Sequence, residues 1–167
     1  MKTALIPGSF DPITLGHVNI IERAARIFGK VYVAVMNNDS SKYAANLSSK
    51  TYTFEMSERI EMARLSLAHI ANAEVIGRSG ILLIDLFDEL NATAIVKGVR
   101  TAKDLEYEMI HAKWNREHNE RAETLFLPAD ERFGNVSSTL VREMIAIKDF
   151  DALCGLVAPE VVNYLKK

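Results

Sequence analysis

Apolar residues fall along this chain in two alternating rhythms, and the alternation predicts the fold before any single residue is weighed. Short apolar runs over 2–6, 31–36, 73–76, 94–97 and 124–127 read as strands. The run over 31–36, Val-Tyr-Val-Ala-Val-Met, is apolar nearly throughout, as suits a strand covered on both faces. Between these runs the apolar positions recur at helical spacing. Ile20, Ile21, Ala24, Ala25 and Phe28 mark one helix from Val18 onward. Further helices are predicted over 55–69, 81–90, 103–118 and 137–147, with a terminal one after Pro159. Strict alternation of the two element types predicts an α/β fold. It is a Rossmann-like, five-stranded parallel sheet with helices on both faces, in a single domain over 1–167. Ligands of such sheets bind beyond the carboxyl ends of the strands, near the point where strand order reverses.

Composition narrows the class. Apolar residues make up 49% of the 167 and charged residues 25%, which describes a globular chain. A formal net charge of −2 supplies no global field to recruit nucleic acid or an acidic membrane, although a local basic pocket stays compatible with it. No apolar run approaches membrane-spanning length and no signal-like segment opens the chain, so the expected location is cytoplasmic. A single cysteine, Cys154, excludes an internal disulfide and a zinc-ligand cluster. Its apolar neighbours suggest a small buried hydrophobe near a helix end. Residues 37–53, rich in Asn, Ser, Lys and Tyr, read as a loop over the site.

Three constellations carry chemistry. The first strand runs into Pro7-Gly8-Ser9-Phe10-Asp11-Pro12 and then Thr14-Leu15-Gly16-His17. His17 thus falls at or near a helix N-terminus, where free N–H groups and the helix dipole favour negative charge. Gly8 and Gly16 would let the main chain approach a bulky ligand. An ordinary β–α turn with a surface histidine is the plainer alternative. The second constellation is Lys97-Gly98-Val99-Arg100, followed by Asp104-Leu105-Glu106-Tyr107-Glu108. A lysine and an arginine flanking a glycine at a strand end suit phosphate oxygens, or make a solvated charged turn. Glu106 and Glu108 do not share a helix face, so one carboxylate can point inward while the other meets solvent. Tyr107, Met109, Trp114 and Asn115 either line a cleft or form plain core, core being the commoner use of such stripes. The third is Phe133-Gly134-Asn135-Val136-Ser137-Ser138-Thr139 ahead of an apolar periodic run. One hydroxyl suffices to cap that helix, and three with free N–H groups can also cradle phosphates.

Ser9-Phe10-Asp11-Pro12 with Thr14-x-Gly16-His17 resembles the signature of the nucleotidylyltransferase superfamily, which transfers a nucleotidyl group from a nucleoside triphosphate and releases pyrophosphate. Adding Lys-Gly-x-Arg, Asp-x-Glu-Tyr-Glu and Val-Ser-Ser-Thr, the ordered set resembles the bacterial-type phosphopantetheine adenylyltransferase family over essentially the full chain. That resemblance implies transfer of AMP from ATP to 4'-phosphopantetheine, with Mg²⁺ as cofactor and a homohexameric assembly. It implies that Ser9 touches both substrates' phosphates, that Phe10 contributes backbone there, and that His17 stabilises the transition state. Lys97, where the family usually has arginine, would bind the pantetheine phosphate. Gly98, Val99 and Arg100 would contact ATP, with Arg100 on its phosphates. Glu108 would contact the substrates and Leu83 would lend backbone to the pantetheine arm. Phe133, Gly134, Asn135, Val136, Ser137, Ser138 and Thr139 match the nucleotide-binding loop. The family's loop lysine has two candidates. Spacing to Phe54 selects Lys50, and counting forward from the strand selects Lys42.

Overall fold

The computed structural model describes residues 1–37 and 51–166. Strands β1 (Thr3–Gly8), β2 (Lys30–Met36), β3 (Ala73–Arg78), β4 (Ala94–Val99) and β5 (Thr124–Pro128) form a parallel sheet in the order β3-β2-β1-β4-β5. The helices are α1 (Leu15–Ile27), α2 (Met56–Leu67), α3 (Leu83–Glu89), α4 (Ala102–His118), α5 (Ser138–Ala146) and α6 (Pro159–Leu165). This is the parallel α/β architecture that the alternating rhythms predict.

The strand pleat divides the core in two. Ala4, Ile6, Val31, Val33, Val35, Ala94 and Val96 join one buried cluster with Ile21 and Ala24 of α1, Met62 and Ala63 of α2, and Val161 of α6. Leu5, Ala34, Met36 and Ile95 alternate with them and meet Ile84, Leu86 and Phe87 of α3 on the other face. Neither face is left to solvent, which is why β2 can be apolar at consecutive positions.

The sheet also builds its own crevice. The chain lays β2 and β3 on one side of β1, then crosses to lay β4 and β5 on the other. Strand order therefore reverses between β1 and β4. The β1–β2 ladder runs the length of β1, from Thr3↔Lys30 to Gly8↔Val35. The β1–β4 ladder holds only Ala4↔Ala94 and Leu5↔Ile95. Past Leu5 and Ile95 the two strands part towards their carboxyl ends. There Gly98 lies so close to α1 that an added Cβ would stand 2.8 Å from Ile20 Cγ1.

Several boundaries differ from the sequence expectation. β1 continues through Pro7 and Gly8, which the sequence suggests as punctuation. Proline is tolerated because β1 has no ladder to β4 beyond Leu5 and behaves there as an edge. β4 likewise runs on past Lys97 to Val99, so Gly98 and Val99 lie within the strand. Cys154 is exposed, contrary to the buried reading. It occupies a turn in which its N–H donates to Asp151 O at 3.1 Å, while the fully buried neighbours Leu153 and Val157 fill the core. The core reading of the α4 stripe also fails. Tyr107 is 60% exposed and Met109 and Trp114 are each 40%, leaving Asn115 as the buried residue of that helix.

Candidate active site

Capping chemistry builds the centre of the site. Thr14 is the N-cap of α1, and its hydroxyl oxygen accepts from the His17 N–H at 3.5 Å. In return His17 Nδ1 accepts from the Thr14 N–H at 3.0 Å, closing a capping box with histidine in the place usually held by glutamate. This reciprocal bond fixes the tautomer. A backbone amide always carries its hydrogen, so Nδ1 must be bare and the ring hydrogen sits on Nε2. Burial is the main influence on the imidazole and the Arg100 cation the second; together they push it down from 6.5 to about 4. His17 at neutral pH is thus an uncharged ring presenting a fixed Nε2–H donor at the mouth of the β1–β4 crevice.

The turn that carries His17 is held from below and from both sides. Phe10 adopts a left-handed backbone, φ 45°, and its buried ring meets the His17 ring edge-on at 5.2 Å between centroids. The ring lies over β1, where a Cβ on Gly8 would fall 2.9 Å from its atoms. Gly8 therefore makes room for the Phe10 ring. Asp11 is buried, and its two carboxylate oxygens accept from the N–H groups of Thr53 at 2.9 Å and Phe54 at 3.0 Å. Arg59 of α2, 1% exposed, donates to the Ser9 carbonyl at 2.8 Å.

The hydroxyl-rich turn docks onto this one. Ser137 is the N-cap of α5 and accepts from the Leu140 N–H at 3.1 Å, as the sequence suggests. Ser138 has a different partner: its hydroxyl donates to the Pro12 carbonyl at 2.8 Å. Arg142 donates to the Asp11 carbonyl at 2.7 Å and to Thr139 Oγ1 at 3.2 Å. Gly16 faces Phe133, whose Cβ would lie 3.7 Å from a Cβ placed there. Arg100, at the end of β4, donates to the Val136 carbonyl at 3.2 Å and to Asp104 Oδ2 at 3.3 Å. Ser9, Phe10, His17, Arg100 and the stretch from Phe133 through Gly134, Asn135, Val136, Ser137 and Ser138 to Thr139 are thus brought to one end of the sheet.

The other predicted residues collect on the α3–α4 side. Lys97 has the same strand parity as Ile95, so it leaves β4 on that face. Its Nζ lies 3.2 Å from Glu108 Oε2, both side chains being half-buried. Glu106 is exposed, which separates the two carboxylates as their spacing requires. Leu83 opens α3 and packs against the core of that face. Gly98 and Val99 lie between the two groups. Lys42 and Lys50 lie outside the described residues, as does most of the 37–53 loop. Among the described residues no cluster of three or more His, Cys, Asp or Glu side chains forms a metal cage.

Sequence reasoning gives Thr14, Arg59 and Arg142 no role and treats Asp11 only as part of a motif. Thr14-x-x-His17 has capping-box spacing, so that relationship carried a readable signal. Arg59 and Arg142 carried none, since a lone arginine on a helix ordinarily reads as a solvated side chain.

Residues 5–144 match the cytidylyltransferase-like family model. A phosphopantetheine adenylyltransferase from Actinobacillus succinogenes is 46% identical over 167 residues, covering 100% of this chain and 96% of that protein. One from Haemophilus influenzae is 45% identical, covering 99% of each. Among solved structures, a nicotinic acid mononucleotide adenylyltransferase from Plasmodium falciparum complexed with NaAD superimposes with a TM-score of 0.66 at 15% identity, covering 99% of this chain and 95% of that one. A lipopolysaccharide core biosynthesis protein from Thermoplasma volcanium gives 0.52 at 14% identity, covering 78% and 97%. These two share the fold. The crevice, the histidine turn and the family match define a nucleotidyltransferase of the cytidylyltransferase-like class. Within that class, the chain belongs to the phosphopantetheine adenylyltransferase family.

Proposed function

We propose that this enzyme transfers AMP from ATP to 4'-phosphopantetheine, giving dephospho-coenzyme A and pyrophosphate. The observation that carries the chemistry is the neutral, tautomer-fixed His17 at the β1–β4 crevice. The identity of the acceptor rests on the family. An oxygen of the acceptor phosphate attacks the α-phosphorus in line, the bond from that phosphorus to the bridging oxygen breaks, and pyrophosphate leaves from the opposite side. Charge builds on the non-bridging α-phosphoryl oxygens, and a donor already in place needs no reorganisation to meet it. His17 Nε2–H is that donor. Arg100 and the N–H groups of the turn over Ser137, Ser138 and Thr139 steady the pyrophosphate, with Ser9 and the Phe10 N–H on the phosphates between. Lys97 takes the acceptor phosphate and Glu108 an adjoining substrate group.

Mg²⁺ enters this reading as part of the nucleotide substrate, held by phosphate oxygens and water. The nearby carboxylates are already engaged: Asp11 by two backbone N–H groups, Asp104 by Arg100 and Glu108 by Lys97. A homohexamer and a cytoplasmic location belong to the same proposal. The exposed Tyr107, Ile110 and Trp114 on α4 offer an apolar face for the assembly. Sedimentation of the purified protein and cell fractionation test these two points. The reaction is tested by pyrophosphate release with ATP plus 4'-phosphopantetheine, each omitted in turn, beside CTP and nicotinate mononucleotide. Release with the nicotinate acceptor and none with 4'-phosphopantetheine would overturn the substrate assignment.

A further inference from the structure

Arg59 is the largest fully buried side chain among the described residues, and every acceptor it has there is uncharged. Its Nε donates to the Phe54 carbonyl at 3.1 Å and its two terminal nitrogens donate to the Ser9 carbonyl and to Asn37 Oδ1. The Tyr52 ring lies 4.2 Å from the guanidinium carbon. One planar fork therefore ties the end of β1, the end of β2 and the entry to α2 together. Burying a cation among neutral partners is costly, and a hydrophobic residue would fill the volume more cheaply. Its use must lie in what it holds.

What it holds is the peptide before Phe10. The left-handed backbone of Phe10 is a conformation that persists only when the surroundings over-determine it. Arg59 takes the carbonyl on one side, Ser9 O at 2.8 Å, and Arg142 takes the one on the other, Asp11 O at 2.7 Å. Across a trans peptide the N–H points opposite to the C=O. Fixing Ser9 O towards Arg59 therefore aims the Phe10 N–H away from it, and no acceptor for that N–H is present among the described residues.

We propose that Arg59 is a positioning residue for nucleotide binding: it holds the Ser9–Phe10 peptide so that the Phe10 N–H is presented as an anion donor beside His17. The inference rests on the adenylyltransferase reading and assigns Arg59 a role that acts through the Ser9–Phe10 peptide. Lysine has the charge but lacks the fork, so it cannot hold Ser9, Phe54 and Asn37 at once.

The test compares wild-type protein with Arg59→Lys by calorimetric titration of ATP without acceptor, and by amide NMR of Phe10 during the same titration. The expected result is a folded Arg59→Lys variant whose ATP affinity falls tenfold or more and whose Phe10 amide no longer shifts on addition of ATP. If Arg59→Lys does not fold, Tyr52→Leu, which leaves the arginine but removes the ring lying over it, is expected to weaken ATP binding at least threefold. A folded variant with wild-type affinity and a wild-type Phe10 shift overturns the inference, since a purely structural Arg59 would change melting temperature alone. Failure of the broader reading shows in the wild-type protein, as absent ATP binding or absent pyrophosphate release. Failure of this inference shows only in the variants.

Discussion

Lys97 and Glu108 neutralise one another across the junction of β4 and α4, Nζ to Oε2 at 3.2 Å, on the face of the sheet opposite α1. A lysine offers three donors but one compact point charge, so Glu108 and an acceptor phosphate would have to share a single ammonium. An arginine could keep Glu108 on one edge of its fork and offer the other to phosphate. Lys97→Arg is therefore expected to lower KM for the acceptor threefold or more with KM for ATP unchanged. Lys97→Ala should raise the acceptor KM by about tenfold to 100-fold, the range for losing a hydrogen bond to a charged group. Steady-state kinetics with each substrate varied in turn decide it, and an acceptor KM indifferent to both changes would remove Lys97 from the site.

His17→Ala should lower kcat by about 100-fold to 1,000-fold, the usual cost of removing one donor from a site where charge develops. The fold should survive, because Thr14 still caps α1 through its own hydroxyl. Single-turnover rates beside circular dichroism check this. Turnover within tenfold of wild type would show that the ring does not meet the transition state.

The same ring links stability to pH. Its folded value, about 4, lies below the 6.5 of an unfolded chain, so between these values the unfolded state binds more protons. Stability is then fully present above pH 6.5 and falls as pH drops from 6.5 towards 4, by at most about 3 kcal/mol and by less to the extent that water reaches the half-buried ring. His17→Asn should flatten that part of the curve. Urea unfolding at a series of pH values measures it, and equal slopes for the two proteins would contradict the burial argument.

Most of the sheet and its crevice is legible in the sequence because parallel strands and their helices leave distinct periods in the chain. Helix capping made the Ser137 turn readable for the same reason: the residues that do the work are local. What escaped depends on contacts between distant segments. Ser138 looks like a spare cap until Pro12 is placed 2.8 Å from its hydroxyl. Arg59 looks like surface charge until Ser9, Asn37 and Phe54 gather around it. Gly8 reads in the sequence as room for a ligand, and the fold adds a second claim on that space: the Phe10 ring two residues on lies back over the strand. Cys154 was misread because its apolar neighbours, and not its own side chain, fill the core.

Arg100 gives a prediction that separates the two causes acting on His17. Its cation is the smaller influence and burial the larger. Arg100→Met should therefore raise the His17 value from about 4 while leaving it below 6.5, as followed by the ring resonances in an NMR titration. KM for ATP should rise about tenfold as a charge-assisted contact to the triphosphate is lost. A ring titrating at an unchanged value in the variant would mean that Arg100 and His17 do not share one electrostatic environment.

Gly8→Ala tests whether the floor of the site matters to its chemistry. The added Cβ would stand 2.9 Å from two atoms of the Phe10 ring, closer than carbon atoms pack, so the ring must shift. Overpacking of this kind costs about 1 to 3 kcal/mol, and the melting temperature should fall accordingly. The Phe10 ring also meets the His17 imidazole edge-on, so its displacement reaches the donor. A misplacement of about 1 Å in a reacting geometry can cost about 100-fold. Gly8→Ala is therefore expected to lower kcat well beyond what its stability loss explains at an assay temperature where the protein stays folded. If turnover holds at the wild-type level while the melting temperature drops, Phe10 supports the fold of the turn and leaves His17 undisturbed.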